Sequence, residues 1–260
     1  MKSQAMDGRN SFAWILDVAA EDTTVSGSST SLKAGKVVVV TGMATSGSGF
    51  GEDKEMINKP LLVSKDLTLK EGDKYRLCKT IFIGMAKDKS LNKSKNTQDV
   101  TVDADAATNN VCDGLVSISG SISCSFSVDG EGYASNYIKK RFGNIIKIDA
   151  EGKPTIIKGS TTEKDLVLFA WNARNAVADD TIEFDVVPCL FTSNNHSSSY
   201  GSSQSFDIDF TGNATDENGY EAATVQMEKG LSFVKLLSTN RAGMDEDAKI
   251  AEIIFGGDKT

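Results

Sequence analysis

Residues 115–128 read LVSISGSISCSFSV, and from Val116 onward this stretch alternates between apolar and hydroxyl side chains, with one glycine interrupting the pattern. The apolar parity consists of Val116, Ile118, Ile122, Cys124, Phe126 and Val128. The hydroxyl parity consists of Ser117, Ser119, Ser121, Ser123, Ser125 and Ser127. Because successive side chains of a β-strand point to opposite faces, this period of two predicts a long strand with one apolar face. The serine face is expected to be wet, as in an antiparallel sheet.

The residues after this strand change to helical spacing. A turn is expected at 129–132, followed by a short amphipathic helix over 133–142. Its apolar stripe consists of Tyr133, Tyr137, Ile138 and Phe142. Gly143 suits the C-terminal cap, and the preceding run Lys139, Lys140 and Arg141 suits the negative end of the helix dipole. We favour this interpretation of the basic run over contact with nucleic acid.

Most of the remaining chain predicts β structure. Expected strands cover 11–18, 36–42, 61–69, 75–83, 99–103, 144–148, 165–172, 181–187, 205–210, 222–228 and 232–237. Turn residues predict a hairpin joining 61–69 to 75–83, a turn at 151–154 and a hairpin at Asn218-Gly219. The polar segments 86–98, 104–113 and 193–203 are expected to be loops. The first is either a solvated loop or a mobile segment that orders on contact with a neighbour. The tail at 245–255 is expected to be a closing helix or strand.

This pattern predicts a mainly β fold: a β-sandwich or barrel with one flanking α-helix and extended hairpin or loop arms. The expected organisation is an N-terminal arm and loop at 1–35, a β-sandwich domain at 36–240 and a C-terminal segment at 241–260.

Charge and cysteine content limit the classes of function that fit this chain. The 260 residues carry a net charge of −8, which argues against a sequence-specific nucleic-acid binder. An acidic surface would instead let DNA pass without sticking, because phosphate contacts from basic side chains dominate nonspecific affinity. The four cysteines are far apart and favour free, buried thiols over zinc ligands or disulfides. The first ten residues lack the apolar core of a signal peptide, and no apolar run approaches about 20 residues.

No pattern indicates a catalytic, cofactor or metal site. The glycine-rich segment 45–51 lacks the lysine of a phosphate-binding loop and is expected to be a flexible loop. Calcium ligands could come from Asp207, Asp209, Asp216 and Glu217, although their spacing does not match an EF-hand. A Ser/His/Asp triad would need the only histidine, His196, which no nucleophile elbow accompanies. Trp14 and Trp171 are expected in the core.

Three short motifs carry a resemblance to a known family. Asp99-Val100-Thr101 closes a polar stretch, Ser119-Gly120-Ser121 lies in the serine-rich strand, and residues 206–212 read FDIDFTG. In this order, with a turn and short helix between the last two, residues 75–237 resemble the major tail tube proteins of long-tailed bacteriophages and related injection systems.

The resemblance implies a structural virion protein without catalysis or cofactor. Such subunits form hexameric rings that stack into a tail tube through which DNA passes, without sequence-specific binding. The implied partners are further copies of the chain, the tape measure protein, the tail terminator and the baseplate or tip proteins. The implied location is the virion tail, assembled in the bacterial host cytoplasm, with no membrane anchor.

Two sets of candidate residues follow. The lumen or subunit interface would use Ser117, Ser119, Ser121, Ser123, Ser125 and Ser127. A loop between rings would use Lys87, Lys89, Lys93 and Lys95. The alternative function is a β-sandwich decoration protein or adhesin on a virion or cell surface. An enzyme using His196 or the pair Asp207 and Asp209 is the third hypothesis.

Overall fold

The computed structural model describes residues 12–27, 30–83, 85–100, 109–125, 133–162, 164–171, 181–201, 205–214 and 219–228. These residues form fifteen strands and one α-helix. The strands are β1 Phe12–Val18, β2 Thr23–Thr24, β3 Thr30–Leu32, β4 Val37–Gly42, β5 Pro60–Leu62, β6 Leu67–Leu69, β7 Lys74–Phe82, β8 Met85–Val100, β9 Asn109–Ser125, β10 Ile145–Ile148, β11 Pro154–Ile157, β12 Asp165–Trp171, β13 Thr181–Ser197, β14 Ser205–Asn213 and β15 Ala223–Glu228. The helix α1 covers Tyr133–Phe142. The prediction of a mainly β fold with one helix is therefore confirmed.

The chain divides into two compact units. The first takes its described residues from Met1–Ile83, Leu166–Val186 and Asn218–Thr260, and the second from Gly84–Asp165 and Val187–Glu217. In the first unit the strand order is β5-β4-β7-β1-β12-β13, with β15 paired to β13 and β2 paired to β7. In the second it is β13-β14-β9-β8. The described strands thus follow an open order, so the barrel alternative is wrong for them.

Strand β4 shows how the first unit forms its core. Its four consecutive valines are all buried, as expected for a strand that is covered on both faces. Val37 and Val39 join a cluster with Trp14, whereas Val38 and Val40 join a second cluster. Members of that second cluster from the small β3-β6 sheet are Leu32 and Leu69. The small sheet therefore covers one face of β4, in the two-layer manner of a sandwich.

The glycine-rich segment 45–51 is held by a buried carboxylate. Asp73 accepts hydrogen bonds from the backbone nitrogens of Ala44, Gly49 and Lys70 at 2.8–2.9 Å and from Ser48 Oγ at 2.6 Å. A Cβ at Gly49 would overlap backbone atoms of Thr68 and Leu69, so this close approach requires glycine. The donors that a phosphate would need are therefore already bound to a side chain of the protein.

The hairpin predicted from 61–69 to 75–83 is wrong. This apolar run divides into β5, which pairs with β4, and β6, which pairs with β3. Strand β7 instead lies between β4 and β1. A turn at Glu71-Gly72 does separate the two runs, but the carboxylate of the next residue, Asp73, binds the 44–49 segment. Long-range pairing of β5, β6 and β7 thus replaces the local hairpin.

Helix α1 matches the predicted bounds, but one of its basic residues has a different role. Arg141 donates from Nε and Nη2 to the two carboxylate oxygens of Asp165 at 2.8 and 2.7 Å. Tyr137 donates to Asp165 as well, at 2.7 Å. Arg141 and Asp165 are both buried, so Arg141 fixes the helix and is not exposed for nucleic acid. In the apolar stripe Ile138 is buried, whereas Phe142 is exposed.

Four further predictions of loops or turns are wrong. Residues 86–98 belong to β8, and 109–113 of the expected 104–113 loop belong to β9. Strand β13 continues through Ser197, into the expected loop 193–203. Asn218-Gly219 does not join a hairpin, since β14 pairs with β9 and β13 while β15 pairs with β13. For the three expected loops, a long partner strand supplies backbone hydrogen bonds that polar side chains do not prevent.

Other expectations are met where the structure describes them. The turn at 151–154 joins β10 to β11, and Phe206, Ile208 and Phe210 are buried as their alternation predicts. Cys78 and Cys189 are free, buried thiols, and burial raises the pKa of Cys78 to about 12.

No helix in the described part of the chain is long and apolar enough to cross a membrane. The predicted strand 232–237 and the segment 245–255 lie outside the described residues.

We expect Asp73→Asn to destabilise the protein by about 1–3 kcal/mol at pH 7, because the amide turns a donor toward backbone N–H groups that need an acceptor. Burial opposes ionisation of Asp73, but its hydrogen bonds to Lys70, Ser48, Ala44 and Gly49 together hold its pKa below the ordinary value of 3.8. The carboxylate therefore contributes fully above pH 3.8 and loses its contribution as pH falls through the lower folded-state pKa.

Urea unfolding at pH 7 and at pH 3 measures the free energy of unfolding of wild type and variant, and the two values are compared at each pH. The matched control is Asp66→Asn, which removes an exposed carboxylate bonded to Lys33 and the Ala34 nitrogen, and a much smaller change is expected. Equal losses for both variants would contradict a structural role for Asp73.

Candidate functional site: a hydroxyl and carboxylate face

The second unit carries a polar face on four adjacent strands, β8, β9, β14 and residues 187–197 of β13. The predicted serine parity of β9 supplies its centre. Ser117, Ser119 and Ser121 are exposed, and Ser123 is half-buried. On the opposite parity Ile118 and Ile122 are buried. The two-faced strand predicted from the sequence is therefore confirmed over residues 117–123.

Strand register extends the serines of β9 into rows. Ser121 lies opposite Ser90 on β8 and opposite Asp209 on β14. The hydroxyl oxygens of Ser90 and Ser121 are 2.8 Å apart, and Ser193 of β13 donates to Asp209 at 2.5 Å. One row of hydroxyl and carboxylate groups therefore crosses all four strands.

Neighbouring rows have the same chemistry. Ser123 lies between Asp88 and Asp207, and its hydroxyl donates to Asp207 Oδ1 at 2.5 Å. Ser94 and Ser117 form a further hydroxyl pair, with their oxygens 2.7 Å apart. The face defined by these rows, which we call the polar face, consists of Asp88, Ser90, Asn92, Ser94, Ser117, Ser119, Ser121, Ser123, Asn195, Ser197, Ser205, Asp207, Asp209, Thr211 and Ser193.

The charge of the polar face is one-sided. Asp88, Asp207 and Asp209 lie on it, and none of its residues named above is a lysine or arginine. Three lysines of β8 have the other parity: Lys89, Lys93 and Lys95 lie opposite Ile122, Ile118 and Val116. Strand geometry thus separates acids and bases that are mixed along the sequence.

A contact beneath the face fixes this register. A Cβ at Gly120 would overlap the ring of Phe210 and the carbonyl oxygen of Ser90. Phe210 is itself buried and lies opposite Gly120 across the strand pair. An aromatic side chain over a strand glycine pins two strands at one position, so Gly120 and Phe210 hold β9 against both of its neighbours.

The lysines predicted for a loop between rings are placed differently. Lys87, Lys89, Lys93 and Lys95 all lie on strand β8, which corrects the loop assignment. Residues 88–94 read DKSLNKS, and their polar residues alternate with lysine and leucine. This period of two was the signal that sequence reasoning missed, because low β-propensity favoured a loop. Contact of these lysines with another ring stays a prediction.

The last two candidate serines are less defined. Ser125 is the last residue of β9 and lies opposite Ser205. Ser127 lies outside the described residues. Their membership in a lumen or interface stays a prediction.

The alternative site residues make structural contacts. Asp207 and Asp209 each accept a hydrogen bond from a serine, whereas Asp216 and Glu217 lie outside the described residues. In the described part of the chain no group of three or more His, Cys, Asp or Glu could hold a metal. His196 stacks against Phe206 with ring centres 6.3 Å apart, and partial burial and the charge of Lys139 lower its pKa.

Comparison with known proteins gives few matches. No protein-family model matches the chain, and no curated protein does. Among solved structures, a similar chain belongs to the tail of an empty GTA particle, computed with helical refinement and C6 symmetry. The two chains are 13% identical, and the match covers 57% of this chain and 86% of the other with a TM-score of 0.36.

We expect Gly120→Ala to destabilise the protein by about 1–3 kcal/mol, since the added methyl group must displace Phe210 or the Ser90 backbone. Urea unfolding measures the loss, and hydrogen exchange locates it in β8 and β9. The matched control is Ser119→Ala, on an exposed neighbouring position, which is expected to change stability by less than about 0.5 kcal/mol. If both variants behave alike, the glycine contact does not fix the register.

Proposed function

We propose that this chain is a structural virion protein that forms stacked hexameric rings of a phage tail tube, through which DNA passes into the host. The observation that carries the proposal is the polar face, whose hydroxyl, amide and carboxylate groups include no basic residue. DNA is retained mainly by lysine and arginine contacts to phosphate. A face that combines carboxylates with hydroxyls holds water and repels phosphate, as the wall of a DNA channel requires.

The edge of the second unit supports self-assembly. Strand β8 is 16 residues long and ends the strand order, so among the described strands it pairs only with β9. A long strand at the end of a strand order is a template for a further strand. In the proposed ring, a strand from the neighbouring subunit satisfies that edge and continues the polar face around the lumen. Subunits that join head to tail in this way close into rings.

The proposal extends to the other partners and to location. The subunit would contact the tape measure protein, the tail terminator and the baseplate or tip proteins at particular stages of tail assembly. It would assemble in the bacterial host cytoplasm and remain in the virion tail, with no catalytic step. These assignments rest on the sequence resemblance of residues 75–237 together with the chemistry of the polar face.

Assembly is the direct test of this proposal. Purified protein at high concentration is expected to form six-fold rings or tubes. A higher concentration favours association both at the β8 edge and at the contacts between stacked rings. Negative-stain microscopy and sedimentation velocity measure the particles. A sample that stays monomeric or trimeric, without ring or tube particles, would exclude the tube function and favour a decoration protein or adhesin.

The chemistry of the polar face is tested by adding charge. We expect Ser121→Lys with Ser123→Lys to leave particle formation largely intact while increasing retention of duplex DNA, with retention falling steeply between 50 and 200 mM salt. Fluorescence anisotropy with labelled DNA measures retention on assembled particles.

The control for this experiment places the same two charges elsewhere. Ser46 and Ser64 are exposed serines of the first unit, and replacing both by lysine is expected to leave DNA retention near the wild-type level. If the Ser121 and Ser123 variant fails to assemble although it folds, the serine face is a subunit interface and not the lumen wall.

A further inference from the structure

The hairpin β10-β11 exposes an unusual amount of apolar surface. Ile146, Ile148 and Ile156 are 64%, 70% and 63% exposed. The register pairs Ile146 with Ile156 and Ile148 with Pro154, so these side chains lie on one side of the hairpin. A single exposed isoleucine needs no explanation, but a contiguous patch marks an interaction surface. We call these four residues the isoleucine patch.

The patch is held in place from both ends. At the turn, Asp149 Oδ1 accepts a hydrogen bond from the backbone nitrogen of Lys153 at 2.7 Å, and Gly152 has a φ of 79°. At the base, the nitrogen of Ser160 donates to the Lys140 carbonyl at 2.9 Å, and Gly159 donates to Asn144 Oδ1 at 2.9 Å. A two-stranded hairpin is only marginally stable alone, so these contacts present a preorganised surface, which lowers the cost of binding.

The charge of the segment around the hairpin indicates which kind of surface would bind the patch. Residues 139–165 contain seven basic and four acidic residues, whereas the rest of the chain contains 21 basic and 32 acidic residues. Lys153 and Lys158 lie beside the patch and are exposed, as are Asp149 and Glu151 at the turn and Lys147 on the opposite side of the hairpin. A segment of net positive charge complements a partner of net negative charge, and outside residues 139–165 this same chain is net negative.

The size of the patch fits the same occupant. A stable two-protein interface buries about 800 Å² on each partner, more than a hairpin with four-residue strands presents. The contact therefore suits an assembly in which each subunit has several neighbours and no single contact must hold alone. We propose that the isoleucine patch docks on the acidic surface of a second copy of this chain, an inference that rests on the proposed tube function.

The test replaces the patch without changing strand propensity. Ile146→Thr with Ile156→Thr keeps both side chains β-branched while removing apolar contact. We expect the protein concentration at which half the chain is assembled, measured by sedimentation velocity, to rise about tenfold or more. Circular dichroism and thermal unfolding of dilute samples check that the fold is kept. Lys153→Glu with Lys158→Glu is a second variant, and the same direction of change is expected without loss of apolar surface.

The control and the remaining outcomes separate the inference from the tube function. Tyr200→Ser removes a fully exposed aromatic side chain outside the hairpin and is expected to leave assembly unchanged. If wild type forms rings and the threonine variant assembles equally well, the inference is overturned and the tube function stands. If wild type stays monomeric at every concentration, both are overturned. Wild type that cosediments with phosphatidylglycerol vesicles through the patch, with assembly unaffected, would make the occupant a lipid surface and overturn the inference.

Discussion

The register of β9 between β8 and β14 is the constraint on which the second unit depends. Because side chains alternate with a period of two, a slip of one residue would bring Ser121 to the buried position of Ile122. Because Gly120 has no Cβ, the ring of Phe210 can lie directly against the backbone of β9 at this position. The hydroxyl face and the apolar core are therefore two consequences of one pairing, and neither can change without the other.

The sequence predicts features that one segment can encode by itself. The alternation of β9, the burial of Phe206, Ile208 and Phe210, and the bounds of α1 all follow from local periodicity, and the structure agrees with each. The four consecutive valines of β4 likewise indicate, from local sequence alone, a strand that is buried on both faces. For the candidate site, local pattern placed the serines 117–123 on an exposed face but gave no information about the rows across the sheet.

Features that depend on distant partners could not be predicted in this way. Strand β8 has a polar sequence that favours a loop, and it is a strand because β9 offers 17 residues of backbone partners. The turn residues ending at Asp73 favour a hairpin, but the Asp73 carboxylate instead binds the backbone of the 44–49 segment. Arg141 looks like one of three exposed basic residues until Asp165, 24 positions along the chain, neutralises it. In each case a long-range contact overrides a local preference.

Register also determines the charge that the polar face presents, which net composition cannot do. Residues 88–95 contain one aspartate and three lysines, and pairing with β9 places Asp88 on the serine side and Lys93 and Lys95 on the other. A slip of one residue would carry these lysines onto the serine face and give it the affinity for phosphate that it lacks. The net charge of −8 would be unchanged. The charge of a face past which a polyanion must move is therefore determined by strand register. In this protein the close contact between Gly120 and Phe210 fixes that register.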